Sequence, residues 1–184
     1  MIGDCSAEVV SSTVPCSTKW MKGTVNSFYI GIIATFIATV LGTMAALGLS
    51  RPHMPYKALI MSILISPMIV PLIITAAGMF FFYARINLVY TFTGVILAHV
   101  ALATPFVVIT VTATLVGFDM NMVKAAQSLG AKPMRTFFKV IMPLILPGII
   151  SGALFAFITS FDEVVIVMFM ASIDQLTIPK QMWA

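Results

Sequence analysis

The sequence predicts an all-α protein, a polytopic bundle of membrane-spanning helices, and three observations carry that prediction. Of its 184 residues, 60% are hydrophobic and 9% are charged, with a mean hydropathy of +1.09, whereas soluble domains carry about 25% charged residues. Four apolar runs are each long enough to cross a hydrocarbon core, which takes about 20 predominantly apolar residues. None of the four shows the short alternating segments of a barrel strand. A water-soluble globule of this make-up would lack the polar surface to cover itself.

The elements follow in chain order. Residues 1–25, "MIGDCSAEVVSSTVPCSTKWMKGTV", are polar and small, and lack the basic start and apolar stretch of a signal peptide. They read as a loosely held extracytoplasmic segment. Cys5 and Cys16 lie in it, and either pair, if it faces an oxidising compartment, or stay as free thiols. The apolar runs then cover Asn26–Ser50, Ala58–Phe82, Thr93–Val116 and Pro147–Ala171. Residues 26–171 thus form the transmembrane domain, with an interruption at 117–146 and an external loop at 172–184.

Lys and Arg near helix ends are retained on the cytoplasmic side. With alternating helices, one side collects Arg51, Lys57, Lys124, Lys132, Arg135 and Lys139, and the other Lys19, Lys22, Arg85 and Lys180. The six-residue side is assigned to the cytoplasm, which puts the amino terminus outside and Val123–Met142 inside.

The interruption has a pattern of its own. Ala125, Ala126 and Leu129 share one helical face, after Asp119 and Asn121 as candidate caps. Gly130 suits the left-handed residue that ends a helix. Pro133 opens a second short run with Phe137, Phe138 and Ile141 on its apolar side, and Pro143 and Pro147 are expected to stop it before the membrane. The physics suggests two short helices around a sharp turn on the cytoplasmic surface. They either dock a protein partner or rest on anionic lipid, where each Lys or Arg contributes about 1 kcal/mol. The adjacent alanines and the glycine favour docking, since lipid binding needs neither.

The run "KAAQSLGAKPMRTFFKVIMP" resembles the cytoplasmic loop of permease subunits of binding-protein-dependent ABC importers. That loop reads E-A-A, three residues, G, nine residues, I, one residue, L-P. Ala125, Ala126, Gly130 and Pro143 match it, Val140 and Met142 stand for the isoleucine and leucine, and Lys124 replaces the glutamate with the opposite charge. The resemblance runs from about Lys22 to Met182, and "SGALFAFITSFDEVVIVMFMA" and "LTIPKQMW" look most like the spermidine/putrescine branch.

What the resemblance implies is a MetI-like permease fold, with four of the family's usual six helices visible, the first and last missing. It also implies a transport role as one of two permease subunits in the inner membrane, with a polyamine as the implied solute. A cytosolic ABC ATPase dimer would seat the loop and an external binding protein would deliver the solute. The chain has no G-x-x-x-x-G-K-[ST] phosphate loop of its own, so ATP and magnesium are expected on the partner and the chain itself is expected not to be an enzyme. With two helices fewer than the family's six, a fragment, a mis-started product or a degenerate copy is also foreseen. A membrane scaffold without transport activity is the alternative function. No nucleic-acid partner is expected.

Asp162 and Glu163 are adjacent acids in the fourth run, where a charge costs at least ~2.5 kcal/mol near the bilayer centre. Either they line the path and attract a cation, or a neighbouring helix holds them. Adjacent helical positions point about 100° apart, so both cannot share one narrow groove. His99, in the third run, either joins that path or bonds between helices. His53 reads as solvated in the turn after the first run. Two separated histidines with no clustered Cys or carboxylate give no metal-site pattern. Pro67, Pro71 and Pro105 interrupt apolar runs, and Gly148 with Gly152 forms a small-residue step suited to close helix packing.

Overall fold

The computed structural model describes residues 16–51, 54–117, 119 and 121–183, and every element among them is helical. Cys5 and His53 lie outside the described residues, as do residues 1–15 of the expected polar segment.

The first helix, α1 (Cys16–Leu49), starts well before the apolar run and takes in the last ten residues of that segment, 16–25. Its early turns are stabilised from outside, because Asn26 Nδ2 donates to the carbonyls of Asp174 (2.8 Å) and Leu176 (3.1 Å). Hydrophobicity alone does not tell α1 which way to face; side-chain size does. Ile30, Ala34, Ala38 and Ala46, on one i+4 ridge, are buried, while Phe28, Ile32, Phe36, Val40 and Met44, on the opposite ridge, are exposed. Small residues let helices approach where no water drives them together.

The second apolar run is not one straight helix. It forms α2 (Lys57–Ile69) and α3 (Leu72–Arg85), bent by 103° at the break. The cause is Pro71, which disfavours helical backbone in the residue before it; Val70 accordingly sits at ψ 136°. Pro67 lies inside α2 without breaking it. The carbonyl that its missing N–H leaves free, that of Ile63, accepts the Ser66 hydroxyl at 2.8 Å.

The third run matches α4 (Phe92–Val116), capped by Thr91 Oγ1 accepting from Gly94 N–H at 3.0 Å. This helix is the most enclosed of the spans and packs chiefly between α1 and the later span α7.

After α5 (Asn121–Ser128) and a turn, α6 (Pro133–Thr136) runs through a π-helical stretch (Phe137–Ile141) into α7 (Met142–Phe161). The expected stop at Pro143 and Pro147 does not occur, and Pro133–Phe161 is one apolar helical span. Pro143 lies inside that span, just after the π-helical stretch. The wider π turn just before it bonds Met142 N–H to the Phe137 carbonyl, five residues back. Residues 133–146 of the expected 117–146 interruption are therefore helical and continuous with α7.

The fourth run is corrected as well. Its helix ends at Phe161, and after residues 162–164 comes α8 (Val165–Met170), only six residues long. Asp162 and Glu163 are thus not inside a helix but at a break. Residues 172–183 then fold over the end of the bundle through a 3-10 turn (Ile173–Gln175) and α9 (Ile178–Met182).

By length and composition, Thr18–Leu49, Phe92–Val116 and Pro133–Phe161 can each cross a membrane, and the bent α2–α3 pair makes a fourth span if counted as one.

Candidate functional site

Two groups of residues stand at opposite ends of the bundle. One end is marked by aromatic contacts: Tyr29 of α1 meets Phe92 at the start of α4 (centroids 5.9 Å), and Phe28 meets Phe161 at the end of α7 (5.3 Å). The other end lies past the last residue of α4, roughly 37 Å away at 1.5 Å per residue, and carries α5 and its turn.

At the α5 end, Asp119 Oδ1 accepts the Asn121 N–H at 2.9 Å and starts the helix. The helix closes on Gly130, whose φ of +79° is the left-handed backbone that glycine adopts without a Cβ penalty. Ala131 N–H then returns to the Ala126 carbonyl at 3.1 Å, and Gly130 N–H to the Gln127 carbonyl at 2.9 Å. Lys124 and Ala125 are exposed, Ala126 is half-buried, and Leu129 is 87% exposed. A Cβ added at Gly130 would meet open space. Val140 and Met142 are half-buried on the outgoing helix and Pro143 is exposed on it. The seven loop residues singled out by sequence therefore divide, with Lys124, Ala125, Ala126 and Gly130 on the projecting elbow and Val140, Met142 and Pro143 on the stem that enters the bundle.

At the opposite end, the two acids part company. Asp162 is the C-cap of α7 and exposed. Glu163 is 7% exposed, and its Oε1 accepts the Ile166 N–H at 3.0 Å. His99 is 1% exposed, and its Nδ1 lies 2.9 Å from Ser160 Oγ, a bond joining α4 to α7. Its Nε2 has no hydrogen-bond partner among the described residues. Being enclosed, His99 can meet a solute only if these helices part. The interhelical bond weighed for it is present.

Three features here escape a reading of the sequence. Phe28, Phe157 and Phe161 cluster beside the break, with Phe157 and Phe161 stacked at 5.6 Å; the 157/161 spacing is legible, but Phe28 comes from a distant helix. Gln175 Nε2 donates to the Tyr90 carbonyl at 2.9 Å, tying the outer segment to the α3–α4 turn. Lys180 Nζ donates to the carbonyls of Val167 (3.1 Å) and Ala171 (3.2 Å) at the end of α8, and desolvation there holds its pKa below the ordinary lysine value. Among the described residues, no group of three or more His, Cys, Asp or Glu is placed to hold a metal ion.

Residues 38–183 match the profile of the binding-protein-dependent transport system inner membrane component. The chain belongs to this family. Among its relatives, the spermidine/putrescine transport system permease protein PotC of Haemophilus influenzae is 30% identical over 164 residues, covering 89% of this chain and 64% of PotC. The trehalose transport system permease protein SugB of Mycobacterium tuberculosis is 33% identical over 144 residues, covering 78% of this chain and 53% of SugB. This inner membrane component thus spans less than two thirds of either relative's length. A crystal structure of a bacterial ABC transporter that imports the acidic polysaccharide alginate shares the fold. Its TM-score is 0.71 at 16% identity, over 96% of this chain and 60% of that one. Two relatives and one structure of the same fold as this chain thus carry three different solute names.

Proposed function

We propose that this chain is a path-forming permease subunit of an ATP-driven importer, acting on a small organic cation of the polyamine type. The observation that carries the coupling half is the projecting elbow. Leu129 and Ala125 of α5 are exposed beside a left-handed Gly130, with Ala126 half-buried between them, a shape that suits a groove in a cytosolic ATPase dimer. Lys124 sits where the family pattern has an acid, so its contact with the ATPase differs in sign. ATP and magnesium are held by that partner. A second permease subunit completes the path, and an external binding protein delivers the solute to the end bearing α9. The membrane is the bacterial inner membrane, with the amino terminus outside.

The solute half rests on Asp162. It is the exposed acid of the pair, directly after Phe161 of the aromatic cluster, and an aromatic face beside a carboxylate attracts an ammonium. The PotC likeness agrees with a cation, although SugB and the alginate importer do not require one. Asp162→Asn is expected to raise the KM for putrescine uptake with the protein still in the membrane; an unchanged KM would remove Asp162 from the path.

Coupling is tested by co-purifying the detergent-solubilised chain with its cytosolic ABC ATPase. Ala125→Arg puts bulk on an exposed helical position without straining the backbone, whereas Gly130→Asp also loads a left-handed residue. Capture by wild type and loss in Ala125→Arg support docking through α5. Equal capture in both places the contact elsewhere, and capture by neither favours a scaffold without transport activity.

A further inference from the structure

The short helix α8 raises a physical problem. Six residues are far fewer than a helix needs to persist alone, and its end groups lie where unsatisfied backbone donors and acceptors are costly. Two charged side chains bond to its ends, beside the backbone N–H of Tyr90 on the Met170 carbonyl. At the amino end, the Glu163 carboxylate takes the Ile166 N–H at 3.0 Å. At the carboxyl end, the Lys180 ammonium donates to the free Ala171 carbonyl at 3.2 Å and to the Val167 carbonyl at 3.1 Å, which also accepts the Ala171 N–H. An anion at the start and a cation at the end are the signs that a helix dipole favours.

Lys180 does not reach α8 by itself. It is carried by α9, whose Ile178 N–H is held by Ser27 Oγ of α1 at 2.8 Å. From the other side, Met170 O accepts the N–H of Tyr90, a residue in the left-handed region at φ 61° within the α3–α4 turn. The last turn of α8 is thus tied to α1 through α9 and to the α3–α4 turn directly.

We propose that Glu163 and Lys180 are positioning residues that clamp α8 from both ends, so that the break at residues 162–164, α8 and the outer segment 172–183 form one mechanical unit. Glu163 is then committed to the backbone, and Asp162 alone of the two acids is free at the break. Only that last consequence rests on the cation reading above; the clamp itself does not.

The test is hydrogen–deuterium exchange on the full chain in lipid nanodiscs, read at the α8 amides with the α4 amides as the control for an intact fold. Loss of a bond to a charged group is expected to speed exchange at residues 166–171 by about tenfold or more in both Glu163→Leu and Lys180→Met. Glu163→Gln keeps an acceptor oxygen and Lys180→Arg keeps a cation, so both are expected to stay within about threefold of wild type. The decisive amide is that of Ile166 in Lys180→Met, at the end of α8 away from the substitution. Unchanged exchange there would overturn the clamp, as would faster exchange spread equally over α4. Putrescine uptake measured in parallel separates the two readings, because a KM that ignores Asp162→Asn sinks the cation contact and leaves the exchange result standing.

Discussion

Ser160 and His99 illustrate what a single residue can and cannot announce. A histidine in an apolar run must find a partner, and the sequence says so, but the partner is 61 positions away on another helix. Removing it with Ser160→Ala is expected to cost about 0.6–1.7 kcal/mol, the range for interhelical hydrogen bonds in membranes, seen as a lower unfolding temperature in detergent. Gly152 is a sharper case. A Cβ there would stand 3.0 Å from Val107 Cα and run into the Thr110 hydroxyl, and one at Gly148 would run into Thr114. Gly152→Val is therefore expected to destabilise by about 1–3 kcal/mol through overpacking, measured the same way. The small-residue step was legible; which helix it serves was not, since α4 is apolar on all sides. For Asp162 and Glu163 the sequence correctly kept them apart in direction, but it placed them inside a helix that in fact ends at Phe161.

Prolines decide most of what happens at the scale of elements, and identical residues act differently. Pro71 ends α2 and turns the chain by 103°, while Pro67, Pro105 and Pro147 remain inside their helices. At Pro67 there is a local rescue. The Ser66 hydroxyl donates to the Ile63 carbonyl that Pro67 frees, and the backbone before another proline, Pro143, widens into the π stretch. A count of prolines cannot reveal such rescue, and for this reason the extent of α4 was read from the sequence to within a residue, while the extents of α2, α3, α7 and α8 were not. The elbow was legible because its signals are local: Asp119 as a cap, Gly130 as a left-handed stop, Pro133 as a start. Leu129 tests its purpose. Because this residue is 87% exposed, Leu129→Ser is expected to change stability by no more than about 0.5 kcal/mol, yet to lower ATPase capture if the elbow is the docking element. Equal loss of stability and capture would mean that the residue acts through folding alone.

For the molecule as a whole, composition settles the class and the packing settles the arrangement. Sixty per cent hydrophobic residues demand lipid, but they leave the long helices α1, α4 and α7 apolar all round, so the inward faces had to be found from size, as on the Ile30–Ala46 ridge of α1. The outer segment was the least legible part. Its bonds run to Asn26, Ser27 and Tyr90, all remote in the chain. With α5 at one end and this segment at the other, the charge-based orientation makes a direct prediction. In a background with Cys5 and Cys16 replaced by serine, Ser128→Cys is expected to react with an impermeant thiol reagent only in inside-out vesicles, and Asp174→Cys only in intact cells or spheroplasts. The reverse pattern would overturn the orientation. One consequence follows from the unbroken helix that begins at Pro133. Helical backbone over those 29 residues makes a rod of roughly 43 Å at 1.5 Å per residue, some 13 Å longer than the hydrocarbon core. The surplus projects as a handle. A tug on that handle cannot be absorbed by a flexible joint before the lipid, so it arrives at Phe161 as rotation or tilt, directly beneath the break where the chain first regains the freedom to bend.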